Sequence, residues 1–125
     1  MTESVVIVGG RSAAAKAARS LGFQSIVLST PPVHPTVQKY ADEAIPADFF
    51  DRWSLLSLVA RWRLRPPIAA VAATEESVLP AAWLRTALRL PGLRPVGAER
   101  FRDKRHMKHW FRRNGIPCAR SRRVR

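Results

Sequence analysis

Val5-Val6-Ile7-Val8-Gly9-Gly10-Arg11-Ser12-Ala13-Ala14-Ala15-Lys16-Ala17-Ala18-Arg19-Ser20-Leu21-Gly22-Phe23-Gln24-Ser25-Ile26-Val27-Leu28 reads as strand, helix, strand. Val5 to Val8 is a short continuous apolar run, the pattern of a strand buried on both faces. Gly9-Gly10 ends it, and Ser12 stands where it can cap the following helix. The alanine-rich run from Ala13 to Leu21 favours helix, and Gly22 closes it by accepting a left-handed conformation. Ile26-Val27-Leu28 is a second buried strand. Two buried strands joined by one helix form a βαβ unit, so they run parallel with a right-handed crossover.

Moving outward, Pro31, Pro32 and Pro35 predict an extended loop after the second strand. Glu43-Ala44-Ile45-Pro46 fits a short third strand at a sheet edge, where proline is tolerated. Asp51 is placed to cap a helix through Arg63, with Trp53, Leu55, Leu56, Leu58, Val59 and Trp62 on its apolar face. Ile68 to Ala73 is a fourth strand. A helix from about Pro80 to Leu90 follows, with Trp83, Leu84, Ala87 and Leu88 on one face and Pro91-Gly92 as its stop. The expected fold is α/β: a small Rossmann-like open parallel sheet with helices on both faces. It occupies residues 1–94. Residues 95–125 are expected to be an incomplete helix–strand unit. In it an amphipathic helix from Arg102 carries Met107, Trp110 and Phe111 on one stripe and stops at Asn114-Gly115, and Ile116-Pro117-Cys118 begins a strand.

At 125 residues the chain has room for one domain with a core and not for two of ordinary size. No apolar run approaches the ~20 residues of a membrane span. The acidic start Met1-Thr2-Glu3-Ser4 is unlike a secretory signal, and Cys118, the one cysteine, has no partner for a disulfide. These features favour a cytoplasmic protein. The net charge of +13 is unevenly placed: residues 1–84 hold eight Lys/Arg against seven Asp/Glu, and residues 85–125 hold fourteen against two. A basic end of this kind suits phosphate-bearing partners. Arginine outnumbers lysine eighteen to four beside abundant alanine, a bias that GC-rich coding also produces.

Gly9-Gly10-Arg11 sits where a phosphate-binding loop belongs, before a helix N-terminus whose amides can hold an anion. The spacing is neither G-x-G-x-x-G nor a Walker loop, and Ser29-Thr30-Pro31 stands where a dinucleotide-binding fold has its ribose-binding acid. The alternative is a tight strand–helix turn in a cofactor-free domain. Glu75 and Glu76 follow the fourth strand, where open α/β sheets place ligand contacts; they equally suit a helix N-terminus. Lys104 can set a point charge on a phosphate, or lie on a solvated helix face. His106 and His109 have a metal-compatible spacing, but no third ligand is evident and Lys104, Arg105 and Lys108 oppose a cation, so no metal site is expected. No catalytic acid–base pair or nucleophile setting is present. Arg112-Arg113 and Arg120-Ser121-Arg122-Arg123-Val124-Arg125, beside Trp110 and Phe111, support an alternative: a stand-alone basic α/β module binding nucleic acid.

Three stretches in order resemble one family. Val5 to Gly10 with Leu21-Gly22-Phe23 looks like the opening of the domain that precedes the nucleotide site in ATP-grasp ligases. Thr74-Glu75-Glu76-Ser77, Pro80-Ala81-Ala82-Trp83-Leu84 and Leu90-Pro91-Gly92 are similar to that domain's fourth strand, helix and exit. Arg102-Asp103-Lys104, Met107-Lys108 and Gly115-Ile116-Pro117 resemble the start of the ATP-grasp domain itself. The resemblance implies a ligase that uses ATP and Mg²⁺ to phosphorylate a carboxylate, whose acyl phosphate an amine or other nucleophile then attacks. It implies that Lys104 contacts ATP and that the preceding domain, through Gly9, Gly10, Arg11, Glu75 and Glu76, helps form the acceptor cleft. The second nucleotide lobe, the phosphate-covering loop and a Mg²⁺-holding Glu/Asn cluster have no match. The chain is therefore expected to be an N-terminal fragment, inactive alone and binding no cofactor tightly, with the missing lobe or another chain as partner.

Overall fold

In the computed structural model, which describes residues 2–102 together with Arg113 and Gly115, the predicted strands form one all-parallel sheet. The strands are β1 (Ser4–Val8), β2 (Gln24–Ser29), β3 (Glu43–Pro46) and β4 (Ala69–Ala72), in the order β3-β2-β1-β4. Val6 aligns with Ile26 and Ala70, and Val8 with Leu28 and Ala72. The alternation of the strands splits the core. Val6, Val8, Ile26, Leu28, Ile45 and Ala70 face one layer of helices, while Val5, Ile7 and Val27 face the other. Both faces are covered, which is why Val5 to Val8 in β1 and Ile26 to Leu28 in β2 are continuous apolar runs.

On one face lie α1 (Ser12–Ser20) and α2 (Pro35–Tyr40), packed through Ala15, Ala18, Val37 and Ala41. α1 ends as expected: Gly22 has φ +82°, its amide donates to the Arg19 carbonyl at 3.0 Å, and the Phe23 amide donates to Ala18 at 3.0 Å. Its start differs. Arg11 is the N-cap residue and Ser12 is already helical, so no side chain caps this helix. α2 also differs from the extended loop the prolines predicted. Pro35 occupies the first turn, where a missing N–H costs nothing, and His34 Nδ1 accepts from the Thr36 amide at 3.2 Å.

The other face carries α3 (Arg52–Ser57), a 3-10 segment (Leu58–Trp62) and α4 (Val78–Leu88). Leu55, Trp62, Ala81 and Leu84 enter the core. The helix predicted to Arg63 thus becomes 3-10 halfway, and Trp53, expected on its apolar face, is 83% exposed. Asp51 caps α3 as predicted, accepting from the Trp53 amide at 3.1 Å and from Ser54 Oγ at 2.8 Å. The Ser54 hydrogen bond, with the backbone amides, holds the Asp51 carboxyl below its ordinary range. A depressed folded-state pKa stabilises the fold above the unfolded pKa, and that contribution is lost as pH falls below about 4. The difference in melting temperature between wild type and Asp51→Asn should therefore shrink between pH 6 and pH 3; a constant difference would show that the charge on Asp51 is immaterial.

α4 ends before Pro91-Gly92. Arg89 takes the left-handed conformation (φ 55°), and the Leu90 amide donates to the Arg85 carbonyl at 2.8 Å. A non-glycine residue there costs about 1 kcal/mol. A short turn leads into α5 (Pro95–Arg102), which packs on α4 with Ala98 fully buried.

Candidate functional site

The chain runs from β1 outward through β2 to β3, then returns to place β4 on the other side of β1. The strand order therefore reverses between β1 and β4, and in open parallel sheets the crevice beyond the carboxyl ends of such a pair is where ligands bind. Two of the predicted groups meet there: Gly9-Gly10-Arg11 follows β1, and Thr74-Glu75-Glu76 follows β4. The two ends are tied by the Ala73 amide donating to the Val8 carbonyl at 2.9 Å. The Gly9 amide in turn donates to Leu28 at 2.8 Å, tying in β2.

The glycines have a steric cause. Gly9 has φ +115°, and a Cβ there would lie 3.0 Å from Thr74 Cγ2 and 3.1 Å from its Oγ1. A Cβ on Gly10 would lie 2.6 Å from Ser29 Oγ. The turn is thus packed from beneath by β2 and β4, which is the strand–helix-turn reading of these glycines. Arg11 is exposed, and the first amides of α1, lacking a side-chain cap, remain open to an anion or to water.

Glu75 and Glu76 lie in a 3-10 turn (Glu75–Ser77) leading into α4. Ser77 shapes that turn: its Oγ accepts from the Thr74 amide at 3.1 Å and donates to the Thr74 carbonyl at 2.8 Å. Both glutamates are exposed, and neither pairs with a described cation. This end of the sheet therefore has a cationic side at Arg11 and the α1 N-terminus, and an anionic side at the glutamates. Two contributors went unread in the sequence. Thr74 Oγ1 is buried without a hydrogen-bond partner against Gly9, and Ser29 is buried with its Oγ turned to the Thr30 carbonyl at 3.2 Å. Their signal, a hydroxyl at the end of each strand flanking β1, needs the strand order to be seen.

Lys104 lies outside the described residues, as do His106, His109, Cys118, Arg112 and residues 120–125. Among the described residues no three His, Cys, Asp or Glu side chains gather as a metal site, and no helix is long and apolar enough to cross a membrane.

The arrangement is an open, doubly covered parallel α/β domain of Rossmann-like type in which the strand order reverses between β1 and β4. No family model matches the chain, and no curated protein matches it. Solved structures do. Phosphoribosylglycinamide synthetase from Anaerococcus prevotii matches over 92% of this chain and 30% of its own, with TM-score 0.78 and 24% identity. L-amino acid ligase from Bacillus licheniformis matches over 93% of this chain and 31% of its own, with TM-score 0.75 and 19% identity. N5-carboxyaminoimidazole ribonucleotide synthetase from Thermotoga maritima matches over 93% of this chain and 32% of its own, with TM-score 0.67 and 27% identity. These are ATP-grasp enzymes. The chain has the Rossmann-like fold of their N-terminal domain, so the resemblance read from the motifs holds at the level of fold, and the chain spans about a third of their length.

Proposed function

We propose that this chain is the N-terminal part of an ATP-grasp ligase, with residues 1–94 as the domain preceding the nucleotide site and 95–125 as the opening of the nucleotide domain. The observation that carries the reading is the match to ligase and synthetase structures over nearly all of this chain and under a third of theirs. In the proposed reaction a substrate carboxylate oxygen attacks the γ-phosphorus of ATP, giving an acyl phosphate and ADP. An amine or other nucleophile then attacks the acyl carbon and expels phosphate. Bound ATP and Mg²⁺ supply the phosphoryl group and the charge stabilisation. The described residues, in the domain that precedes the nucleotide site, are assigned the acceptor side. Arg11 and the α1 N-terminus suit an anionic group of the acceptor, and Glu75 and Glu76 suit a cationic or hydroxyl-bearing one.

Lys104 is proposed to contact ATP. Two features support this. Helices joined by a short turn pair antiparallel, so α5 leads back toward the sheet end from which α4 departs. Lys104 comes two residues after Arg102, the last described residue of α5. A cytoplasmic location is proposed with the same reading. Nucleic acid is not favoured: the structural matches are to ligases and synthetases, and residues 1–84 are nearly balanced in charge.

The test is a phosphate-release assay with ATP, Mg²⁺ and panels of carboxylates and amines. The 125-residue chain should show no turnover. A longer product of the same gene should release phosphate only when both acceptor and nucleophile are present. In that longer protein, Glu75→Gln/Glu76→Gln should raise KM for the acceptor and leave KM for ATP unchanged. Robust ATP hydrolysis by the 125-residue chain would overturn the reading.

A further inference from the structure

Arg85, in the last turn of α4, is the one described arginine that bridges two backbone segments through their carbonyls. Its Nε donates to the Ala70 carbonyl in β4 at 2.8 Å, and its Nη1 donates to the Leu93 carbonyl, just before α5, at 3.0 Å. Gly92, with φ +122°, lies against the same side chain: a Cβ there would sit 2.9 Å from Arg85 Cδ and 3.0 Å from Nε. No carboxylate pairs with Arg85 among the described residues. Burial, and then the charge of Arg94, hold its pKa below the ordinary arginine value, a shift that leaves it charged. A solvated helix-end cation would show none of this. A guanidinium spans two carbonyls because its donors are fixed in a planar fork, which the point charge of lysine does not reproduce.

We propose that Arg85 is a positioning residue, a joint that sets the placement of α5 against the edge of the sheet. Gly92 takes a φ of +122° that L side chains rarely adopt, and a Cβ there would also crowd the fork. The joint stands on the described residues and does not require the ligase reading. Where that reading holds, it is the joint between the acceptor domain and the nucleotide domain.

Amide hydrogen exchange on the 125-residue chain tests it, because a joint and a general stabiliser differ in where protection is lost. In Arg85→Gln the Ala98 amide, which donates to the Arg94 carbonyl at 2.9 Å, should exchange about tenfold faster or more. The amides of Val6, Val8 and Leu28 should change by less than about threefold. Arg85→Lys should behave as Arg85→Gln. Arg85→Met, which keeps an apolar stem and removes the fork, should give the same local pattern and decides the matter if Arg85→Gln does not fold. Uniform acceleration through sheet and helix, unchanged exchange at Ala98, or rescue by lysine would each overturn the assignment.

Discussion

Gly9→Ala is expected to destabilise the protein by about 2–4 kcal/mol, measured by urea unfolding. Two costs add. The backbone at φ +115° is one that L side chains rarely adopt, a strain of about 1–3 kcal/mol. The new methyl also meets Thr74 on three sides, with Cγ2 at 3.0 Å, Oγ1 at 3.1 Å and the backbone nitrogen at 3.3 Å. Thr74 cannot retreat freely, because its amide and carbonyl are both held by Ser77 Oγ and the next residue, Glu75, opens the turn into α4. Relief would have to come from separating the ends of β1 and β4, which breaks the Ala73–Val8 bond. Gly10→Ala should cost less, about 1–2 kcal/mol, because its φ is ordinary and the tightest of its two contacts, Ser29 Oγ, is a rotatable hydroxyl, with Ser29 Cβ at 3.3 Å. A Gly9→Ala loss under 1 kcal/mol would mean that the β1–β4 junction is looser than described.

Leu84→Ala is expected to cost about 2–5 kcal/mol. Leu84 is fully buried where α4 meets Val6, Val8 and Ala70, and β4 offers only small side chains to fill the space left behind. The lost transfer energy and the residual cavity both count, since neighbours relax only partly. Ala87→Ser on the same helix is the control: Ala87 is exposed, and the change should stay within about 0.5 kcal/mol. Comparable losses at the two positions would place the wrong face of α4 against the sheet.

That pair marks where the fold was legible and where it was not. The runs Val5 to Val8 in β1 and Ile26 to Leu28 in β2 are apolar on both faces, and no other element accounts for such runs. Ile45-Pro46 could only be an edge, and it is. Ala87 was misassigned because alanine carries almost no signal for either face of a helix. Trp53 was misassigned for a different reason: at about 100° per residue it lies about 200° from the buried Leu55, so taking every apolar residue from Asp51 to Arg63 as one broad face overrode the helical period. Helix α2 was hidden because Pro35 reads as a breaker in mid-chain and as a starter only once His34 is seen to cap it.

The candidate site was legible in its parts and not in its assembly. Gly9-Gly10-Arg11 and Glu75-Glu76 each follow a strand, and loops that follow parallel strands share one end of a sheet. That β4 lies beside β1, making the reversal fall between these two loops, depends on a crossover that local patterns do not encode. The contact of Thr74 with Gly9 depends on it too.

The most direct test of the central claim is the mass of the native gene product, captured from its own cells with an antibody to residues 1–102 and weighed intact. If the chain is the first part of an ATP-grasp ligase, the species should be roughly three times heavier than 14.0 kDa, as its structural neighbours' lengths imply. A single species at 14.0 kDa would contradict that claim and leave a stand-alone α/β domain.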